Sequence, residues 1–122
     1  MYRAIILLLL SGYVSAHQWT PTYPTLSSSY IPRVLVTQMQ LFNTRKDIEY
    51  YEFSVFDKDW EPLPFATPEK VLKIPHLKTV EVDIFIREID LDRALYVCSE
   101  SKIQKGSKQA SSVSSRICSK LQ

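Results

Sequence analysis

At 122 residues with a net charge of +2 and two cysteines, the chain is sized for one domain with a single core, and its near-zero charge excludes a general nucleic-acid binder. Beyond a short apolar run at the start, no stretch is long enough to span a bilayer, so no membrane span is expected once a leader is removed. Neither a phosphate-binding glycine loop nor a catalytic triad is present, and no cofactor and no enzyme activity are expected.

Met1-Tyr2-Arg3 gives a basic start, Ala4 to Leu10 an apolar run, and Val14-Ser15-Ala16 a small-residue cleavage site, so residues 1–16 read as a secretory signal peptide. Residues 17–31 mix Pro, Thr, Ser and Tyr without a period and read as an extended polar lead-in, leaving residues 32–122 as the domain. From Arg33 to Phe42 the β-branched and apolar content predicts a first strand, ended by the polar turn Asn43 to Asp47. Ile48 to Phe56 predicts a second, with Tyr51, Phe53 and Val55 on one face. Pro62, Pro64 and Pro68 remove ladder donors and confine the following segment to an edge or an irregular crossing.

Val71 to Ile74 predicts a short strand closed by Pro75-His76. Thr79 to Glu88 predicts the clearest one, with Val80, Val82, Ile84 and Ile86 inward and Thr79, Glu81, Asp83 and Arg87 outward. The last quarter holds two arms, Asp92 to Ser101 and Val113 to Leu121, joined by a polar segment containing Gly106. Export favours a disulfide over a metal site for the only two thiols, Cys98 and Cys118. Set opposite each other, they place Glu100 against Arg116 and Leu95 against Leu121, with Val97, Ile117 and Leu121 on the apolar face. About seven short strands with turn signals at intervals of roughly ten residues predict an all-β fold, a single antiparallel sandwich of immunoglobulin type with a C-terminal disulfide-linked hairpin.

Candidate chemistry is sparse. His17, exposed as an N-terminus by leader cleavage, is the one residue that could hold a metal, through its amine and ring; no ligand partner stands at metal spacing from it or from His76. The acid groups Asp57, Asp59, Glu61 and Glu88, Asp90, Asp92 read as solvated turn residues.

Asp92 to Cys98 resembles the D-x-A-x-Y-x-C signature of an immunoglobulin strand F, but the partner cysteine lies downstream rather than on strand B. Cys118-Ser119-Lys120-Leu121 is similar to the C-x-K-L end of strand G in the first domain of the periplasmic pilus chaperones of the PapD-like superfamily, in the subgroup with a long F–G connection. Pro64-Phe65-Ala66-Thr67-Pro68 resembles their P-F-x-x-T-P-P segment, and Arg33-Val34 their R-V start. The resemblance implies a periplasmic protein-binding module that pairs strands with a pilus or secretion-system subunit. It implies Arg33 and Lys120 as a carboxylate anchor and Val113, Ser115 and Ile117 as the strand-pairing edge. The chain matches only the first of the two chaperone domains, and half of its strand-G row is serine. A structural or adhesive component of a surface fibre is the alternative, and a small metal-binding protein a further one.

Overall fold

The computed structural model describes residues 16–102 and 114–122. The expected leader lies outside the described residues except for Ala16, as do Gly106 and Val113.

Among the described residues eight strands form two sheets, β1 Gln18–Thr20, β2 Ser27–Ser28, β3 Val34–Phe42, β4 Tyr50–Phe56, β5 Val71–Lys73, β6 Thr79–Arg87, β7 Tyr96–Lys102 and β8 Arg116–Lys120. In the first sheet, β3 is the centre: β1 and β2 share one of its edges and β6 runs along the other. The second sheet has the order β5-β4-β7-β8, and every strand pair is antiparallel. The expected immunoglobulin-like antiparallel sandwich is what the chain forms, with the Cys98–Cys118 disulfide across its C-terminal hairpin.

Alternation dictates the core. Tyr51, Phe53 and Val55 from β4, Val82, Ile84 and Ile86 from β6, and Val97 from β7 are buried, with Val80 and Ile117 packed against them. Each fully buried large apolar side chain contributes about 1.5–3 kcal/mol, and the two inner faces supply them in facing rows. The proline-rich segment is an irregular crossing. Leu63 donates its amide to Val55 O on one sheet at 2.9 Å, and Ala66 bridges Phe85 on the other at 2.8–2.9 Å.

The lead-in reading of residues 17–31 is corrected. Gln18–Thr20 pairs with the end of β3 and Ser27–Ser28 with its beginning. Between them the chain passes a cis Thr20–Pro21 peptide and runs beside β8, where Thr22 and Pro24 carbonyls accept from Lys120 and Gln122 at 3.1 Å. Trp19 belongs to the core: it stacks on Phe53 with centroids 5.5 Å apart and donates its indole N–H to Val97 O at 3.0 Å. Pro21 and Pro24 interrupt the alternation after three residues, so the strand has no visible period.

Two further differences concern turns. The chain between β6 and β7 makes a 3-10 turn at Glu88–Asp90 and reaches β7 only at Tyr96, so the first arm of the hairpin is shorter than expected. Asp90 there is not solvated. It is completely buried and holds both Arg87 and Arg93, the former at 2.8 Å.

Candidate functional site

The geometry of the two arms of the C-terminal hairpin follows from the disulfide. Cys98 faces Cys118, Glu100 faces Arg116 and Tyr96 faces Lys120. The Cα atoms of the two cysteines are 4.1 Å apart, close to the spacing of a non-hydrogen-bonded antiparallel pair. The ladder bonds therefore fall on the odd-numbered residues, as the Leu121 N–H to Leu95 O bond at 2.8 Å and the Ser101 N–H to Ser115 O bond at 2.9 Å require. On β8 the even-numbered residues turn their N–H and C=O groups away from β7. Lys120 uses its N–H on Thr22; Arg116 and Cys118 have no backbone partner on that edge among the described residues.

The sandwich-facing row of β8 belongs to the protein's own core. Ile117 packs against the core cluster, Ser119 is 1 % exposed and Leu121 lies within the cluster. Ser115 and Ile117, expected to form the pairing edge, are committed to β7. Ser115 accepts from Ser101 N–H and donates its own N–H to Ser101 Oγ at 2.7 Å, and Ile117 faces Ser99. The open groups of this edge sit instead at Arg116 and Cys118, one residue out of phase; Val113 lies outside the described residues.

On the outer face, Arg116 reaches 5.1 Å from the centroid of Phe56 and 3.5 Å from Glu100, while Trp60 covers Tyr96. The guanidinium lies over an aromatic ring while the side chain stays about half exposed. Lys102 pairs with Glu52 at 2.8 Å, and that carboxylate raises its pKa.

Arg33 and Lys120, implied as a carboxylate anchor, do not stand on adjacent strands. Arg33 precedes β3, which is interior to the first sheet, whereas Lys120 ends β8 in the second. The segment that lies beside β8 is Thr22 to Pro24, which carries no cation. Arg33 has a positive φ of 64° and its carbonyl accepts from Glu88 N–H at 2.8 Å, so it is fixed to the turn after β6. Arg33-Val34 opens the third strand and not the first, because β1 and β2 precede it.

His17, the candidate metal ligand, is 2 % exposed. Its Nε2 lies 2.7 Å from Ser99 Oγ, its ring meets Tyr51 edge-on at 4.7 Å, and burial, helped by the nearby Arg45 charge, lowers its pKa to about 4. A cation beside the ring is the reverse of what a metal ion requires. Among the described residues no three His, Cys, Asp or Glu side chains come together to hold a metal. Next to His17 lies a buried polar knot. Asn43 Nδ2 donates to the carbonyls of Ile48 and Ile74 at 2.8 Å, and Asn43 Oδ1 accepts from Arg45 N–H at 2.9 Å and from Tyr51 Oη at 2.5 Å. Burial pushes the Tyr51 phenol up to about 12. All four amide bonds of Asn43 are made, which marks this knot as architecture.

The acids of the Asp57 turn are likewise structural: Asp57 Oδ1 accepts from the amides of Asp59 at 2.8 Å and Glu61 at 2.9 Å. The sequence reading places Asp90 in solvent and does not single out Trp60; the signal for the burial of the first is the three-residue spacing of Arg87, Asp90 and Arg93. No helix among the described residues is long and apolar enough to cross a membrane. Compared with protein-family models and with curated proteins, the sequence matches none.

Proposed function

We propose that the chain is an exported, periplasmic protein-binding module that resembles the subunit-binding domain of a pilus chaperone. It adds an extended segment of a pilus or secretion-system subunit to the edge of its second sheet. The observation that carries this reading is the pair of outward-facing backbone positions, Arg116 and Cys118, without a partner among the described residues on a strand locked to β7 by the disulfide. An edge held rigid in this way offers backbone hydrogen bonds to an incoming strand with little sequence preference. The disulfide is compatible with export to an oxidising compartment. The alternative, a fibre component that receives a strand, has less support, because β8 already occupies the position beside β7 and Ile117 and Leu121 pack in the core.

Proline at position 116 tests the reading. Arg116 N–H points away from β7, so Arg116→Pro removes one outward donor and leaves the β7 ladder intact, while Arg116→Ala removes only the side chain. A photo-crosslinking residue at the neighbouring exposed Ser114 identifies the partner in the native compartment, and each variant is then titrated against it. The alanine variant is expected to retain binding and the proline variant to lose about tenfold or more. Equal affinity of the proline variant, with the disulfide and the β-type circular dichroism intact, would falsify strand addition at this edge.

A further inference from the structure

The turn after β6 inverts the usual arrangement of a surface loop. Asp90, the acid, is completely buried between Arg87 and Arg93, and its apolar neighbours are turned out: Ile89 is 79 % exposed and Leu91 38 %. A loop selected only for solubility would place the acid in water and the isoleucine inside. The two arginine bonds to one carboxylate fix the turn in this orientation, so the exposure of Ile89 is built in and not a frayed end.

The adjoining stretch does the same. Tyr30 is 85 % exposed and Ile31 38 %, and they lead into Arg33, whose backbone is tied to Glu88. Of the eight large apolar side chains exposed among the described residues, these two stretches contribute four. Arg33 and Glu88 line one depression at this end of the sandwich. Neither of their side chains has an ion-pair or hydrogen-bond partner among the described residues, although the surrounding arginines do.

We propose that this end of the sandwich is a self-association face that docks against a second copy of the chain. Its charge is self-complementary: Arg87 in the lining is neutralised by Asp90, which leaves one guanidinium, on the segment before β3, and one carboxylate, on the turn after β6, and the Glu88 N–H to Arg33 O bond ties these two segments together. A two-fold axis through the depression sets Arg33 of each copy against Glu88 of the other, giving two ion pairs, and packs Ile89 and Tyr30 across the axis. A partner with a single sign of charge would leave one of the two groups unpaired in the contact. The face lies on the first sheet and its closing turn, away from the β8 edge, so a dimer formed here leaves that edge free.

Sedimentation equilibrium of the disulfide-intact exported chain tests the proposal. A monomer–dimer equilibrium is expected in the micromolar range, as befits a small patch. Ile89→Asp, at a side chain that the fold does not bury, is expected to weaken the dimer about a hundredfold. Arg33→Glu and Glu88→Arg are each expected to weaken it about tenfold, and the double reversal to return it to within about threefold of the original. A strictly monomeric chain at millimolar concentration overturns the proposal, whether or not another protein binds the face. So does a dimer indifferent to Ile89→Asp, or a double reversal no better than its worse single variant.

Discussion

The indole of Trp60 lies flat on the ring of Tyr96, with centroids 4.1 Å apart and planes within 5° of parallel. The contact explains an otherwise costly backbone. Trp60 has a φ of 61°, in the left-handed region, which costs a residue with a Cβ about 1–2 kcal/mol. The turn around it is closed by Trp60 N–H on Asp57 O at 3.1 Å and Asp57 N–H on Glu61 O at 3.0 Å. Stacking on Tyr96, with Phe56 tilted alongside at 5.8 Å, offsets that cost and roofs the end of the disulfide hairpin.

Two substitutions at this position separate the terms. Trp60→Ala loses the stack and keeps the unfavourable φ, for an expected loss of about 2 kcal/mol; Trp60→Gly loses the stack but adopts the φ freely, and is expected to be about 1 kcal/mol more stable than the alanine variant. Urea midpoints at constant slope measure the difference. An alanine variant at least as stable as the glycine variant would show that the backbone is not held in the left-handed region.

The Asn43 knot predicts a different ordering. Tyr51→Phe removes one of two donors to Asn43 Oδ1 and is expected to cost about 1 kcal/mol. Asn43→Ala strands the carbonyls of Ile48 and Ile74, the amide of Arg45 and the Tyr51 hydroxyl in a buried site, and is expected to cost about 3 kcal/mol or more. Equal losses in the two variants would mean that water replaces the Asn43 side chain without penalty.

Strand faces allow a sharper test. Ile84 is fully buried, whereas Asp83 points outward and accepts only a 3.4 Å bond from Gln38. Ile84→Asp is expected to prevent folding, and Asp83→Ala to change stability by less than about 0.5 kcal/mol. Circular dichroism and urea titration of the pair decide it; two variants of similar stability would invert the face assignment of β6.

How much of this was legible in advance depends on which force set each feature. β-Branched and apolar content marked β3 and period-two alternation marked β4 and β6, and β6 at Thr79–Arg87 ends one residue from its sequence limit. The cysteines gave the register of β7 and β8, because a covalent bond leaves one alignment. What stayed hidden is what tertiary contact decides. Trp19 is a core residue only because β3 offers its edge to a three-residue strand that prolines cut short. Asp90 is buried only because two arginines, three residues to either side, close on it. The difference at Arg33 has the same source: two short strands precede β3, so Arg33-Val34 begins the third strand of the chain and not the first, and the segment beside β8, Thr22 to Pro24, carries no cation.

The last prediction concerns acid. His17 is held neutral in the folded chain, its pKa lowered to about 4 by burial and then by the Arg45 charge, against an ordinary value of 6.5. Below 6.5 the unfolded chain takes up a proton that the folded chain refuses, so stability from this group is complete above that pH, falls as the pH drops toward 4, and levels off below it. The expected loss is on the order of 2 kcal/mol after allowance for relaxation around the ring. Asp90 acts in a lower window: the Arg87 hydrogen bond, seconded by Arg93 and opposed by burial, holds its pKa below the ordinary 3.8, so its contribution persists above that value and is lost only as the pH falls further. Urea unfolding between pH 7.5 and 4 should therefore slope downward through the histidine alone of these two. His17→Gln, which keeps a polar group near Ser99 Oγ but does not titrate, is expected to flatten that slope while leaving the decline below pH 3.8 in place. An unchanged slope in the glutamine variant would place the acid sensitivity elsewhere and remove His17 from the account of it.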